Sequence, residues 1–451
     1  MILNTAPSAQ SGRLAALYTQ GRRLLSSSLI RRSFVYTASV SLSALTNFLL
    51  LPILTRYLSP ADYGIIETFL SLSALLTAIV ILGANTSLSK DYFKLQEQER
   101  GLYLGNALCL IGAAGLFTGL VIVIQPITVL LGQWLHVPVM VVLLAAVAAI
   151  AKAVMSMTQV LFQLQKRVAA FAVFTNSTTL GELALSVFLI VGLGLQWRGR
   201  VTGIAISYTI AALVALVWLR RTGVAQMRPL KFSGAILRSS VPLVVAQLAG
   251  WTQMMVDRLI ISHLVNPSAT GLYAVGSRFA MVVLMIETAF SLAWLPFIYE
   301  SLNQKTPAAD RKIVQATYLY SLFLIGFSLV FGLSSQFLLY AMVPKQYFGA
   351  GAYIFLLSMG YCADGIWKLF LGYLLHDNRS SAYSVILCAS ALLDIGLGYA
   401  LVTHFGPIGA AWATFLSFLF GMIATIVVAV RTHKMPWLEV LGRRKTLDLA
   451  A

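Results

Sequence analysis

The residues of this sequence best placed to do chemistry are ionisable side chains set deep in apolar stretches. Lys152, Arg258, Arg278 and Lys368 lie within such stretches, and Arg56 stands at the end of one. The acids Glu67, Glu182, Asp257, Glu287, Asp364 and Asp394 are embedded in the same way. A charge there costs about 3 kcal/mol or more unless it is paired or wet. Two chemistries suit these types. Guanidinium and ammonium groups bind oxyanions, the guanidinium through a planar fork that matches phosphate. Unpaired carboxylates hold a proton or a metal cation. Structural pairings compete with both uses. Asp364 and Lys368 are four apart on one helix face. Glu182 is expected to pair with Lys152. Arg278, near the end of its stretch, has the reach to place its head among lipid headgroups. Asp257 and Arg258 are neighbours in sequence, so they point in different directions. The functional expectation is a basic ring of Arg56, Arg258 and Arg278 at one end of a central cavity, with Lys152 and Lys368 deeper. Glu182, Asp257, Glu287, Asp364 and Asp394 are the candidate ion sites.

The elements that position these groups are transmembrane helices. Of 451 residues, 59% are hydrophobic and 10% charged, against about 25% charged in a soluble domain. The hydrophobicity comes in helix-length blocks rather than in short alternating runs, which excludes a β-barrel. Windows of about 20 apolar residues give twelve spans. They lie near 34–57, 64–84, 103–124, 139–160, 169–194, 202–219, 239–262, 274–298, 314–341, 351–375, 382–403 and 408–430. The ninth carries Gly332, Ser334 and Ser335 and is expected to be kinked or tilted. With the N-terminus inside, 24 of the 32 Lys and Arg fall on the cytoplasmic side, four outside and four within spans. That asymmetry fixes an inner-membrane protein with both termini cytoplasmic. It also accounts for the net charge of +17 without nucleic acid. Cys109, Cys362 and Cys388 read as packing residues. The five histidines are scattered, so no metal cluster and no cofactor are expected.

Residues 1–32 read as a basic amphipathic segment on the cytoplasmic leaflet, with no cleavable signal peptide. Residues 33–219 and 239–430 form two six-helix lobes, joined by a basic linker at 220–238 and followed by a tail at 431–451. The halves look like repeats. Ser59-Pro60-Ala61-Asp62-Tyr63-Gly64 opens the second span and Asn266-Pro267-Ser268-Ala269-Thr270-Gly271 the eighth. In each, a polar residue precedes proline and a glycine follows four later. An even span number per half makes the repeats parallel, related by an axis along the membrane normal.

Asn47-Phe48 followed by Leu58-Ser59-Pro60-Ala61-Asp62-Tyr63-Gly64 resembles the polysaccharide transporter branch of the multidrug/oligosaccharidyl-lipid/polysaccharide exporter superfamily. Asp257-Arg258 followed by Gly271-Leu272-Tyr273-Ala274 resembles the second half of that pattern, and the resemblance runs from about Ser33 to Val430. It implies two six-helix lobes around a V-shaped cavity, working by alternating access. It further implies movement of undecaprenyl-diphosphate-linked oligosaccharide to the periplasmic leaflet for O-antigen, capsule or exopolysaccharide. The implied partners are that lipid-linked substrate, membrane lipids, polymerase or export machinery, and a proton or sodium as coupling ion.

Three other readings compete. A multidrug antiporter of the same superfamily favours an acidic, aromatic cavity, whereas several bases lie in these spans. A membrane-embedded glycosyltransferase, polymerase or ligase needs a large outer loop or an acidic pair at a helix end, and these outer loops are short. A passive scramblase has no need of buried acids. A transporter rather than an enzyme is therefore expected.

Overall fold

The computed structural model describes residues 42, 46, 48–226, 229–304, 306–377, 379–433, 435–437 and 439. The basic segment at 1–32, the start of the first span and most of the tail lie outside them. The described chain is helical, with no strand. After α1 (Phe48–Tyr57) come α2 (Pro60–Ile81), α3 (Ala84–Asp91), α4 (Glu97–Val123), α5 (Gln125–Trp134), α6 (Val139–Leu164), α7 (Val168–Val187) and α8 (Gln196–Arg221). The second half holds α9 (Ser233–Leu264), α10 (Pro267–Gln304), α11 (Pro307–Met342), α12 (Gly351–His376), α13 (Ser380–Phe405) and α14 (Ile408–Thr432). Among the described residues, ten helices are long and apolar enough to cross a membrane. With α1 and the less apolar, 32-residue α9, the all-α polytopic fold of about twelve spans is in place.

The short α3 and α5 were not foreseen from hydropathy. They are amphipathic continuations where the chain leaves the apolar slab. The linker is also shorter than expected, because α9 already begins at Ser233. The ninth span, α11, is one continuous helix of 36 residues. Its Gly332 lets Phe355 of α12 approach, so that a Cβ there would touch the ring at 3.0 Å. Outward faces such as Leu116, Phe117, Leu319, Leu322 and Phe337 are exposed apolar surface, which suits lipid contact.

Local chemistry explains the start of each half. Ser59 caps α2: its Oγ accepts from the Asp62 amide at 3.1 Å, and Asp62 accepts from the Ser59 amide at 3.0 Å. Pro60 then occupies the first helical turn, where its missing N–H is harmless. Asn266 does the same for α10, its Oδ1 accepting from the Ala269 amide at 2.8 Å. These two N-termini meet. A Cβ on Gly64 would overlap the Pro267 carbonyl, and one on Gly271 would overlap the Pro60 carbonyl. The contact is reciprocal, as a two-fold relation demands, and the repeat inferred from the sequence appears here as a crossing of backbones.

The end of the helices bearing this crossing is called the turn face; the opposite end, with residues 222–232, is the linker face. At the turn face the halves are tied directly. The Tyr347 hydroxyl donates to the Leu58 carbonyl at 2.9 Å, His136 Nδ1 lies 2.9 Å from the Ser262 carbonyl, and Trp134 stacks on His263 at 4.3 Å. Toward the linker face the ties run through α9 and the linker. Ser87 meets Ser239 at 2.7 Å, and the Asn106 amide donates to the Pro229 carbonyl at 3.1 Å.

Candidate functional site

The buried charges fall into three groups. The first straddles the seam between halves, about two turns below the turn face. Glu67 of α2 is 2% exposed and receives Arg278 of α10 at 2.9 Å and Arg258 of α9 at 3.5 Å. The second contact is an ion pair without a hydrogen bond. The Arg258 guanidinium is held instead by the Met254 carbonyl at 2.8 Å and the Ser277 hydroxyl at 2.5 Å, with Tyr273 beneath it. Arg200 of α8 joins Glu67, Arg278 and Tyr63 in lining a cavity of about 20 Å³, room for about one water. Little space is therefore left around Glu67 in this conformation. Arg200 itself pairs with Glu182 of α7 at 2.8 Å and donates to Ser186 at 2.9 Å.

The second group lies in the C-terminal half. Lys368 of α12 contacts Asp364 at 2.8 Å and Glu287 of α10 at 3.1 Å. Ser291 donates to Glu287 at 2.9 Å. Two carboxylates share one ammonium, and Lys368 is one-third exposed.

The third group has acids and no cation between them. Asp257 of α9 accepts from the Tyr273 hydroxyl and, at 2.7 Å, from the Thr414 hydroxyl of α14. One turn along α14, Ser417 donates to Asp394 of α13 at 3.2 Å. Both carboxylates are buried, and Asp257 Oδ1 and Asp394 Oδ2 have no hydrogen-bond partner. Ser390 and Gln253 complete the polar lining, 2.7 Å apart. A buried carboxylate oxygen without a donor calls for a proton or a bound cation.

The structure thus sorts the residues chosen from sequence. Arg258 and Arg278 come together, but Arg56 is exposed at the end of α1 and stands apart, so the three do not form a ring. Lys152 does not pair with Glu182. Its ammonium lies 5.8 Å from the Tyr208 ring, and Arg200 takes the acid. Sequence reasoning had assigned Arg200 to an outer loop, because the apolar window began at 202 while α8 begins at Gln196. Arg278 faces Glu67 rather than the headgroups. Asp364 and Lys368 do pair, with Glu287 as a third member. Glu67, Arg200, Tyr273, Thr414 and Ser417 are the members that sequence reasoning left off the site. Glu67 was visible as a mid-span acid, whereas the hydroxyls carry no signal in a single sequence.

A sequence model of the polysaccharide biosynthesis protein family matches residues 29–302, a stretch that takes in all of the first half and nearly all of α10. The chain belongs to that family. A family relative in Haemophilus influenzae, a protein of the Lsg locus, is 22% identical over 382 residues, covering 83% of this chain and 91% of the relative. The fold is shared with solved structures of membrane transporters. The lipid II flippase MurJ in an inward closed conformation superposes with a TM-score of 0.68 at 14% identity, over 91% of this chain and 89% of that one. An inward-facing multidrug resistance MATE transporter gives 0.64 at 14% identity, over 89% and 96%.

Proposed function

We propose that this family member is a flippase. It carries undecaprenyl-diphosphate-linked oligosaccharide from the cytoplasmic to the periplasmic leaflet by alternating access, for surface polysaccharide assembly. The observation that carries the reading is the seam cluster, where Arg258 and Arg278 of one half converge on a single carboxylate, Glu67, of the other. Two guanidiniums against one carboxylate leave a net positive charge inside the membrane, and a diphosphate is the matching ligand. The linker face, with Arg220, Arg221, Lys231 and Arg238, is taken as cytoplasmic. In transport the lobes at 33–219 and 239–430 part toward the cytoplasm, where Ser87–Ser239 and Asn106–Pro229 now tie them, while the turn face stays closed. The headgroup enters there, and its tail stays in lipid between the halves.

In this proposal diphosphate oxygens compete with Glu67 for the two guanidiniums, and that exchange unties the turn face. Asp257 and Asp394 supply the coupling site for a proton or sodium, whose entry neutralises the two free oxygens. Lys368 with Glu287 and Asp364, and Lys152 beside Tyr208, extend the polar path toward the cytoplasm. Arg56 and Glu182 have supporting roles at its margin. A surface polysaccharide polymerase or export complex is the downstream partner, and the inner membrane the location.

The test is complementation in a deletion strain, scoring lipid-linked glycan in each leaflet. Cytoplasmic accumulation relieved by wild type, but not by Arg258→Ala or Arg278→Ala of equal abundance, supports the proposal. Normal glycan export in the deletion strain rejects it and favours the multidrug antiporter.

A further inference from the structure

At the linker face the second half carries a group of side chains that the transport path does not use. His376 is the last residue of α12, Asp377 caps that helix, and His433 caps α14. His433 Nδ1 lies 2.9 Å from Asp377 Oδ2, and His376 Nδ1 lies 3.2 Å from Asp377 Oδ1. His376 Nε2 points at Asn303 Oδ1 of α10, 3.5 Å away. One ligand atom from each of His376, Asp377 and His433 lies within 4.8 Å of the other two. Each of the three side chains is about one-quarter exposed, so an ion has access from water.

Three physical features favour a cation here. The donor set of two imidazoles and a carboxylate is that of a zinc-class ion. Tetrahedral bonds of about 2.0–2.2 Å set ligand atoms about 3.3–3.5 Å apart, and the one carboxylate of Asp377 already sits between the two imidazoles, His433 on Oδ2 and His376 on Oδ1. Finally, α10, α12 and α14 run in the same direction and all end at this spot. Each C-terminus contributes about half a negative charge.

We infer that His376, Asp377 and His433 form a binding site for a divalent transition metal of the zinc class, with water in the fourth position. The histidines are far apart in sequence and on different helices, so no spacing motif announces them. An ion there ties the end of α12 to the end of α14. It also fixes the segment that follows, where Trp437 lies against Phe370 and Tyr373, and Tyr318 donates to the Trp437 carbonyl at 3.1 Å. The site is a structural clasp on one half, independent of the proposed cargo.

The experiment uses the full chain in detergent, purified without a histidine tag and stripped with chelator. Zn²⁺ is titrated by calorimetry and Co²⁺ by visible absorption. One equivalent of Zn²⁺ at micromolar affinity or tighter is expected, with the intense bands of four-coordinate Co²⁺. His376→Ala, His433→Ala and Asp377→Asn each weaken binding at least about tenfold, while His404→Ala leaves it unchanged. His433→Cys keeps the site and adds a thiolate-to-cobalt charge-transfer band, a signal that loss of folding cannot produce. Binding no tighter than millimolar in the wild type, equal affinity in the three variants, or no thiolate band with His433→Cys overturns the assignment.

Discussion

Replacing Glu67 by Gln removes the one carboxylate that holds Arg258 and Arg278 across the seam. The shape is kept and the charge is lost. Arg258 is 2% and Arg278 26% exposed, so both guanidiniums lose their counter-charge in a largely dry place. Removing one partner of a buried pair costs about 3–5 kcal/mol. That penalty falls on the state closed at the turn face, because opening there lets both guanidiniums reach water. Even the lower figure shifts the closed-to-open ratio by about 150-fold. The assay places a cysteine at Thr68, which is fully buried and faces Ser262 at 3.3 Å across the seam. The background carries Ala at Cys109, Cys362 and Cys388. A membrane-impermeant maleimide added from the side of the turn face should label the Glu67→Gln protein tens of times faster than its parent, and Glu67→Asp should restore slow labelling. A rate within about twofold of the parent refutes the argument, since the cluster would then not hold the halves together.

The crossing of α2 and α10 makes Gly64→Ala and Gly271→Ala equally damaging. Each inserts a Cβ into a backbone carbonyl of the other half and should cost about 1–3 kcal/mol, read as a lower melting temperature in detergent. If Asp257 and Asp394 hold the proposed cation, Asp257→Asn and Asp394→Asn should abolish thermal stabilisation by added sodium while leaving the sodium-free protein as stable as wild type or more so, because each removes a buried charge without an ion-pair partner. Arg200→Met alone should cost about 3–5 kcal/mol by stranding Glu182. The double change Glu182→Met/Arg200→Met should recover most of that loss, which a two-by-two series of melting curves measures.

Much of this architecture was written in hydropathy. Spans such as α12 and α14 are bounded in sequence within two residues of where they lie, because apolar length is a one-dimensional property. The repeat was legible too, since Ser59-Pro60 and Asn266-Pro267 serve as local caps. Partner choice was not. Glu182 is matched to Lys152 in sequence, and nothing in the chain order says that α7 and α8 bring Arg200 closer. Nor does it say that α13 and α14 deliver Asp394 and Thr414 to Asp257. Such meetings depend on which helix faces turn toward each other, and weak amphipathicity in lipid leaves those faces nearly unmarked. His376 and His433 show the same blindness, as lone histidines at helix ends that gain meaning only when two ends coincide.

The reciprocal overlap at Gly64 and Gly271 has a bearing on ancestry. If the chain arose by doubling of a single six-helix unit, that unit had to work as a pair, and its glycine then met its own copy on the symmetry axis. Fusion turned one position into two that history can no longer vary separately. A side chain gained at either closes the space for both, so the two sites, 207 residues apart in number, form one unit of heredity. The arginines of the seam have drifted from that symmetry, with Glu67 on one side and Arg278 on the other. The glycines cannot follow, because their contact is backbone against backbone and leaves no side chain to change.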